Sequence, residues 1–404
     1  MILKFKNCKM MKGTKKLNNA VLMSCCLLLL TNCSKSQGLE DQDGGQTKDV
    51  KSTTGITNFE AVSNIYSKNT FLLANNVIQG FNLDSDGSIW YTQTADGGNK
   101  HQVNLVKSSQ NISNDILTSN TDIMRLHYFG HATNTAMEEV GTDRYLWIGA
   151  YASAREDGSY WGDKVVGRVK YEKGKTVKTN ECAEYYYIGS SFSELHPSID
   201  TDHDLLTINY NDPDPSNSSF RCFVVYKLSE AKKASMTNVS VTCTDGFETN
   251  NPASRNSKTY TVYCRDLTTL TPVARVKFRK TGYGPAGATY YDWQGYDVYK
   301  NRLYYFEGQS NYNLVGSFYT EDVSQSYVTV FDFQGNIVEE RTRVEFVSNR
   351  NTLSEIGITK LGAMEAEGIK AYKGKLYLGY TSRGITEEDT KHYQNIFRFN
   401  ISSK

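Results

Sequence analysis

Gln294-Gly295-Tyr296-Asp297-Val298-Tyr299-Lys300-Asn301-Arg302-Leu303-Tyr304-Tyr305-Phe306 decides the fold of this 404-residue chain. A polar residue and a glycine open the stretch. Alternating apolar residues follow, then a Lys-Asn-Arg turn, then an aromatic-rich strand. The same grammar returns at Glu367-Gly368-Ile369-Lys370-Ala371-Tyr372-Lys373-Gly374-Lys375-Leu376-Tyr377-Leu378, with the same step from the glycine to the Leu-Tyr pair. Gln79-Gly80-Phe81-Asn82-Leu83-Asp84-Ser85-Asp86-Gly87-Ser88-Ile89-Trp90-Tyr91 matches with one extra turn residue. A hairpin repeated along a chain predicts a repeat architecture.

Between the openers the chain alternates in short strands such as Tyr145-Leu146-Trp147-Ile148, Phe223-Val224-Val225-Tyr226 and Tyr327-Val328-Thr329-Val330, bounded by Gly, Asn and Asp turns. Helical pattern is confined to a turn or two at 228–234 and 353–356. The 28 tyrosines suit a sheet-rich protein. Gln79, His131, His196, Gln294 and Glu367 each lead into an inner hairpin and then an outer strand pair. This predicts an all-β propeller over residues 58–404, with five blades. The long gap from His196 to Gln294 holds strand patterns at 239–242, 259–264 and 274–278. These fit a sixth blade or an elaboration of the third or fourth. Because the last strand pattern ends near Lys404, closure is expected to borrow a strand from residues 58–73.

The first 32 residues read as an export signal. Six lysines and no acid precede an apolar run, Ala20 to Leu30, that is too short to span a bilayer. Leu30-Thr31-Asn32-Cys33 reads as a lipoprotein cleavage box with Cys33 acylated. Residues 33–57, rich in Ser, Gly, Gln, Thr and Asp, read as a lipidated tether. Asn32 and the acidic Glu40, Asp41 and Asp43 resemble lipoproteins of Bacteroidota. That resemblance implies an outer-membrane location, exposed at the surface. Without the six signal lysines, 39 basic residues face 44 acidic ones, a net charge of −5. Such a chain is not expected to bind nucleic acid, which needs clustered positive charge. A monomer is expected. Cys182, Cys222, Cys243 and Cys264 fit no zinc spacing. Two readings stand for them: one bridge among Cys222, Cys243 and Cys264, or free buried thiols.

Several openers carry a family resemblance. Asn76-Val77-Ile78-Gln79-Gly80-Phe81 followed by Trp90-Tyr91-Thr92-Gln93 resembles the first blade of the helveticin J family of secreted bacteriocins. Phe129-Gly130-His131-Ala132 followed by Leu146-Trp147-Ile148-Gly149 resembles its second blade. It also resembles the propellers of teichoic-acid biosynthesis protein C and of staphylococcal phage receptor-binding proteins. Glu365-Ala366-Glu367-Gly368-Ile369 is similar to the Glu-Pro-Glu-Gly-Leu motif of their last blade. Ala132 and Ala366 depart from the usual Gly and Pro. The resemblance implies a five-bladed propeller at a cell surface that engages cell-wall polymers or glycans, or acts as a bacteriocin-like toxin.

Inner strands of a propeller start at one channel mouth, so Gln79, His131, His196, Gln294 and Glu367 are expected to converge there. Two imidazoles, two amides and a carboxyl group suit sugar hydroxyls or phosphate. The competing reading is mutual satisfaction around the axis. Trp293, with Trp161, is the candidate platform for the apolar face of a sugar, and Tyr296 lies beside the ring. Trp90 and Trp147, inside strands, are expected to pack between blades. Asp200-Thr201-Asp202-His203-Asp204 lacks the glycine and distal glutamate of an EF-hand loop and is expected to be a solvated turn. His131, His196 and Glu367 would make a zinc set only if they were close enough. No metal or cofactor is assigned. No Gly-x-Ser-x-Gly elbow, His-Glu-x-x-His pair or phosphate loop is present. The expected function is therefore binding of a cell-surface polymer or glycan. A polysaccharide hydrolase or lyase using His131 and Glu367 is the alternative.

Overall fold

Each opener leads into the innermost strand of a separate antiparallel sheet. The computed structural model describes residues 65–95, 100–114, 122–310, 314–315, 318–319, 322–384 and 391–401. The expected signal, Cys33 and the tether lie outside them. Blade 1 runs outward through Ile78–Leu83, Ile89–Thr94, Gln102–Ser108 and Ile123–His127. Blade 2 comprises Ala136–Val140, Asp143–Ala150, Val165–Lys170 and Glu184–Tyr187. Blade 3 comprises Ser193–Asp200, Leu205–Asn211, Phe220–Lys227 and Ala274–Arg279. Blade 4 comprises Trp293–Tyr299, Arg302–Ser310, Ser324–Asp332 and Ile337–Arg343. Blade 5 comprises Ala363–Tyr372, Lys375–Arg383 and His392–Asn400, and its outermost strand is Ile65–Phe71. That N-terminal strand pairs antiparallel with His392–Asn400 and closes the ring, as expected.

The protein is thus a five-bladed β-propeller, and the long 196–294 gap supplies no sixth blade. Ala274–Arg279 completes blade 3. Met236–Thr244 and Ser257–Asp266 form a ribbon that joins blade 2, through parallel pairing of Tyr186 with Arg265. The elaboration therefore falls partly on blade 2, one blade earlier than the pattern suggested. All four cysteines of the propeller are free thiols. Along the ribbon Cys243 stands opposite Lys258, while Cys264 stands opposite Thr237, so the two occupy opposite ends of the ladder.

Strand periodicity explains the consecutive apolar residues. In blade 2, Leu146 and Ile148 pack with Trp90 and Leu105 of blade 1, while Trp147 turns to Leu206 and Ile208 of blade 3. In blade 4, Leu303 and Tyr305 meet Phe223 of blade 3, while Tyr304 and Phe306 meet Leu376 and Leu378 of blade 5. Both faces of these middle strands are buried, so both sets of alternate residues are apolar. Trp90 and Trp147 are packing residues, as expected. Their indole N–H groups donate to Asp84 (3.1 Å) and Glu138 (3.1 Å), which also accept from Arg144 and Arg168.

The inner strands approach the axis closely, which accounts for the opener glycines. A Cβ on Gly80 would press on the Thr133 carbonyl oxygen at 3.0 Å. Gly295 and Gly368 hold φ of +131° and +142°, which L side chains rarely adopt. Just beyond, a polar belt crosses the axis. Asn82 donates to Thr135 (3.1 Å), and the Lys370 ammonium donates to the Thr135 carbonyl (2.7 Å). Lys370 also lies 3.5 Å from Asp297, which accepts from the Ser198 hydroxyl and the Ala371 N–H. All five blades contribute. Burial pushes the Asp297 carboxyl up and the Lys370 amine down, and their mutual attraction opposes both shifts.

Lys370→Met should therefore cost about 3–5 kcal/mol, because Asp297 is left buried without its counter-charge. Urea denaturation checks this. The exposed turn variant Lys373→Met should be silent in the same assay.

Candidate functional site

The mouth on the opener side is shaped by a bulge repeated from blade to blade. Strand register skips at Gln79, Gln294 and Glu367, and between Ser193 and His196. A bulge re-aims side chains that regular pleating would send into a neighbouring blade. His131 precedes its strand, in a segment where Ala132 holds φ +60°. A glycine there would adopt that conformation without strain.

His131 and His196 form parallel constructions. The His131 ring stacks on Trp161 with centroids 4.2 Å apart and 13° between planes, and the Arg155 guanidinium lies 4.6 Å from the same indole. The His196 ring meets Trp293 edge-on at 4.9 Å, and the Arg221 guanidinium lies 4.9 Å from that indole. Trp161 and Trp293 are each partly exposed, whereas His196 is buried. Burial pushes the imidazoles down, His131 to about 4 with help from Arg155, and His196 to about 3 with help from Arg221 and His131. Both are neutral at pH 7.

Glu367 is 5% exposed, and its Oε1 is buried with no hydrogen-bond partner. Burial, then the charge of Glu365, raises its pKa well above the ordinary 4.5. Glu365 is raised too, by burial and by Asp292, against the pull of Arg383. An orphaned buried carboxyl holds its proton to higher pH than a free one and can donate it to a ligand oxygen.

The remaining expected residues divide. Gln79 is buried at its bulge. The Gln294 amide is engaged by its own blade, donating to Gly308 O at 2.9 Å. Tyr296 is not a ligand-facing residue. It is fully buried, and its hydroxyl donates to His196 O (2.7 Å) and accepts from Asn209 N–H (3.1 Å). It is a strut beneath the mouth, because its strand turns it toward Phe223 of blade 3.

Three contributors escaped the sequence. Glu194 pairs with Arg155 at 3.1 Å. Arg221 faces Trp293 from the third strand of its blade. Asp163 lies against Gly130 and Gly149, where any Cβ would collide with its carboxylate. Burial lifts Asp163 to about 7, and its Oδ1 has no partner. The two glycines of Phe129-Gly130-His131 and Trp147-Ile148-Gly149 were visible signals, but nothing in sequence tied them to Asp163.

Among the described residues, no group of three or more His, Cys, Asp or Glu is placed to hold a metal ion. The Asp200 turn is built for backbone bonds. Asp200 accepts from His203 Nδ1 (2.7 Å) and Lys300 N–H (2.8 Å), and Asp204 accepts from Ser229 N–H (2.7 Å). The opposite mouth holds a cleft of about 240 Å³ lined by residues that include Glu139, Asp200, Asp297, Tyr299 and Lys370. Much of its charge is already paired: Lys370 with Asp297, Glu139 with Arg144. The opener side is the better candidate because its buried polar atoms are unspent.

Linkage gives the site a pH signature. Glu367 holds its proton to higher pH in the folded than in the unfolded chain, so stability falls as pH rises from about 4.5 through the folded value. Asp163 acts with the same sign between about 3.8 and about 7. Wild type should lose more urea stability between about pH 5 and about pH 8 than Glu367→Gln does. Equal losses would contradict the buried acid.

No protein-family model matches the chain, and no curated protein matches it. Several solved structures are similar over most of its length. Polysaccharide lyase Uly1 is 10% identical, with 84% of this chain and 92% of that one covered and a TM-score of 0.29. A putative glycoside hydrolase from Bacteroides ovatus is 12% identical, with 84% and 94% covered and a TM-score of 0.29. The α-L-arabinanase of Cellvibrio cellulosa, solved with arabinohexaose, is 8% identical, with 82% and 92% covered and a TM-score of 0.32. These likenesses are too remote to bear on chemistry.

Proposed function

We propose that the opener-side mouth of this propeller binds a glycan or cell-wall polymer, as the opener motifs led us to expect. The observation that carries the reading is the pair of partly exposed indoles, Trp161 and Trp293, each set against an opener histidine. Indole faces suit the apolar face of a sugar ring, and a few convergent polar groups fix its orientation. Neutral His131 and His196 and the buried Glu367 carboxyl, whose pKa is raised, supply polar partners for hydroxyls. The proposal includes the lipid anchor at Cys33, which would hold the propeller at the outer membrane, facing polymers of the surface.

A second reading rests on the retained proton of Glu367. A carboxylic acid that holds its proton to raised pH is one half of what general acid–base cleavage of a polysaccharide requires, and a neutral imidazole can be the other. In that case Glu367 protonates the departing oxygen, and His131 or His196 takes the proton from water or from the sugar.

The test is a glycan and cell-wall-polymer array probed with a soluble form beginning at residue 58, with product analysis of each hit. Trp161→Ala and Trp293→Ala should each weaken binding roughly tenfold or more, as expected for a contact worth above about 1.4 kcal/mol. Unchanged binding in both variants rejects the site. New reducing ends or unsaturated sugars, lost in Glu367→Gln, would select the enzymatic reading.

A further inference from the structure

The two histidine–indole–arginine constructions differ in one respect. Arg155 spends its charge on Glu194, at 3.1 Å. Arg221 forms no ion pair among the described residues, and its Nε is buried without a hydrogen-bond partner. Several other arginines of the propeller are neutralised by an acid, whereas the side-chain partner of Arg221 is the neutral Tyr305 hydroxyl. Arg144, Arg168, Arg265, Arg302, Arg341 and Arg343 each meet a carboxylate. A guanidinium withdrawn from water without an anion is costly unless an anion arrives from outside.

Its surroundings favour such an arrival. Arg221 lies against the Trp293 indole, which in turn meets His196. It lies close enough to oppose protonation of both His196 and Lys280. The Lys280 ammonium is held by a backbone carbonyl, Ser218 O at 2.8 Å, and not by an acid. Glu194, the carboxylate that also acts on Lys280, is engaged by Arg155 and by Asn211 Nδ2 at 2.5 Å. The blade 3 side of the mouth therefore presents positive charge in a chain whose overall balance is near neutral.

We infer that Arg221 is the receptor for a carboxylate on the bound sugar, so that the polymer recognised at this mouth is an acidic one containing uronic acid. The inference rests on the glycan reading above and specifies its ligand class. The planar fork of a guanidinium matches a carboxylate through two parallel N–H donors. The ring bearing that carboxylate would lie on Trp293, and His196 would reach a neighbouring hydroxyl.

The experiment titrates the protein with a uronate-containing polymer and with the same polymer after reduction of its carboxyls to alcohols. Wild type should bind the acidic form about tenfold or more tightly than the reduced form, and Arg221→Gln should erase that gap. Arg221→Lys should restore part of the gap, since it returns the charge without the fork. Equal affinity of wild type for the two polymers overturns the inference and leaves the glycan reading standing, and this comparison needs no variant. A gap that survives in Arg221→Gln removes the assignment to this residue. Binding of neither polymer removes the glycan reading, and the inference with it.

Discussion

The buried Lys370–Asp297 pair and the belt around it are the constraint on which the rest of the propeller depends. Five strands that converge on an axis bring five sets of backbone and side-chain polar groups out of water together. Such groups must satisfy one another, because unpaired burial costs more than pairing returns. Asn82, Thr135, Ser198, Asp297 and Lys370 do so across all five blades. The belt fixes the rotation of each blade about the axis. The close approach at Gly80, Gly295 and Gly368 belongs to the same constraint, since a side chain there would push the inner strands apart or strain them.

At the opener-side mouth the chemistry follows from desolvation. The same burial that lowers His131 and His196 raises Glu367 and Asp163. All four groups are thereby driven toward their neutral forms, and the fixed charge at the mouth is left to arginines. Arg155 is cancelled by Glu194, and Arg221 is not. Neutral donors and acceptors, two indoles and one guanidinium without a counter-charge are the basis of the glycan reading proposed above.

Much of the fold was legible because the repeat is carried by local chemistry. The polar-glycine opener of blades 1, 4 and 5, the tight turn after each inner strand and the strands apolar at successive positions each have a local physical cause. The closing strand Ile65–Phe71 could be anticipated from the unpaired end of blade 5. The ribbon on blade 2 could not, because parallel pairing of Tyr186 with Arg265 joins segments far apart in sequence without leaving a periodic mark. The site was half legible for the same reason. Positions at the heads of inner strands could be named, but side-chain direction depends on bulges and on neighbouring blades. Tyr296 therefore turned out to be a strut, and Asp163 and Arg221, from a loop and a third strand, went unseen.

The account turns on which mouth receives the ligand, and a crystal structure of the protein soaked with an acidic oligosaccharide decides it most directly. The account predicts a sugar ring laid on Trp293 or Trp161, with hydroxyls within reach of His196 and Glu367. A ligand seated instead in the opposite cleft beside Tyr299 and Lys373, with the opener mouth holding only solvent, would contradict it.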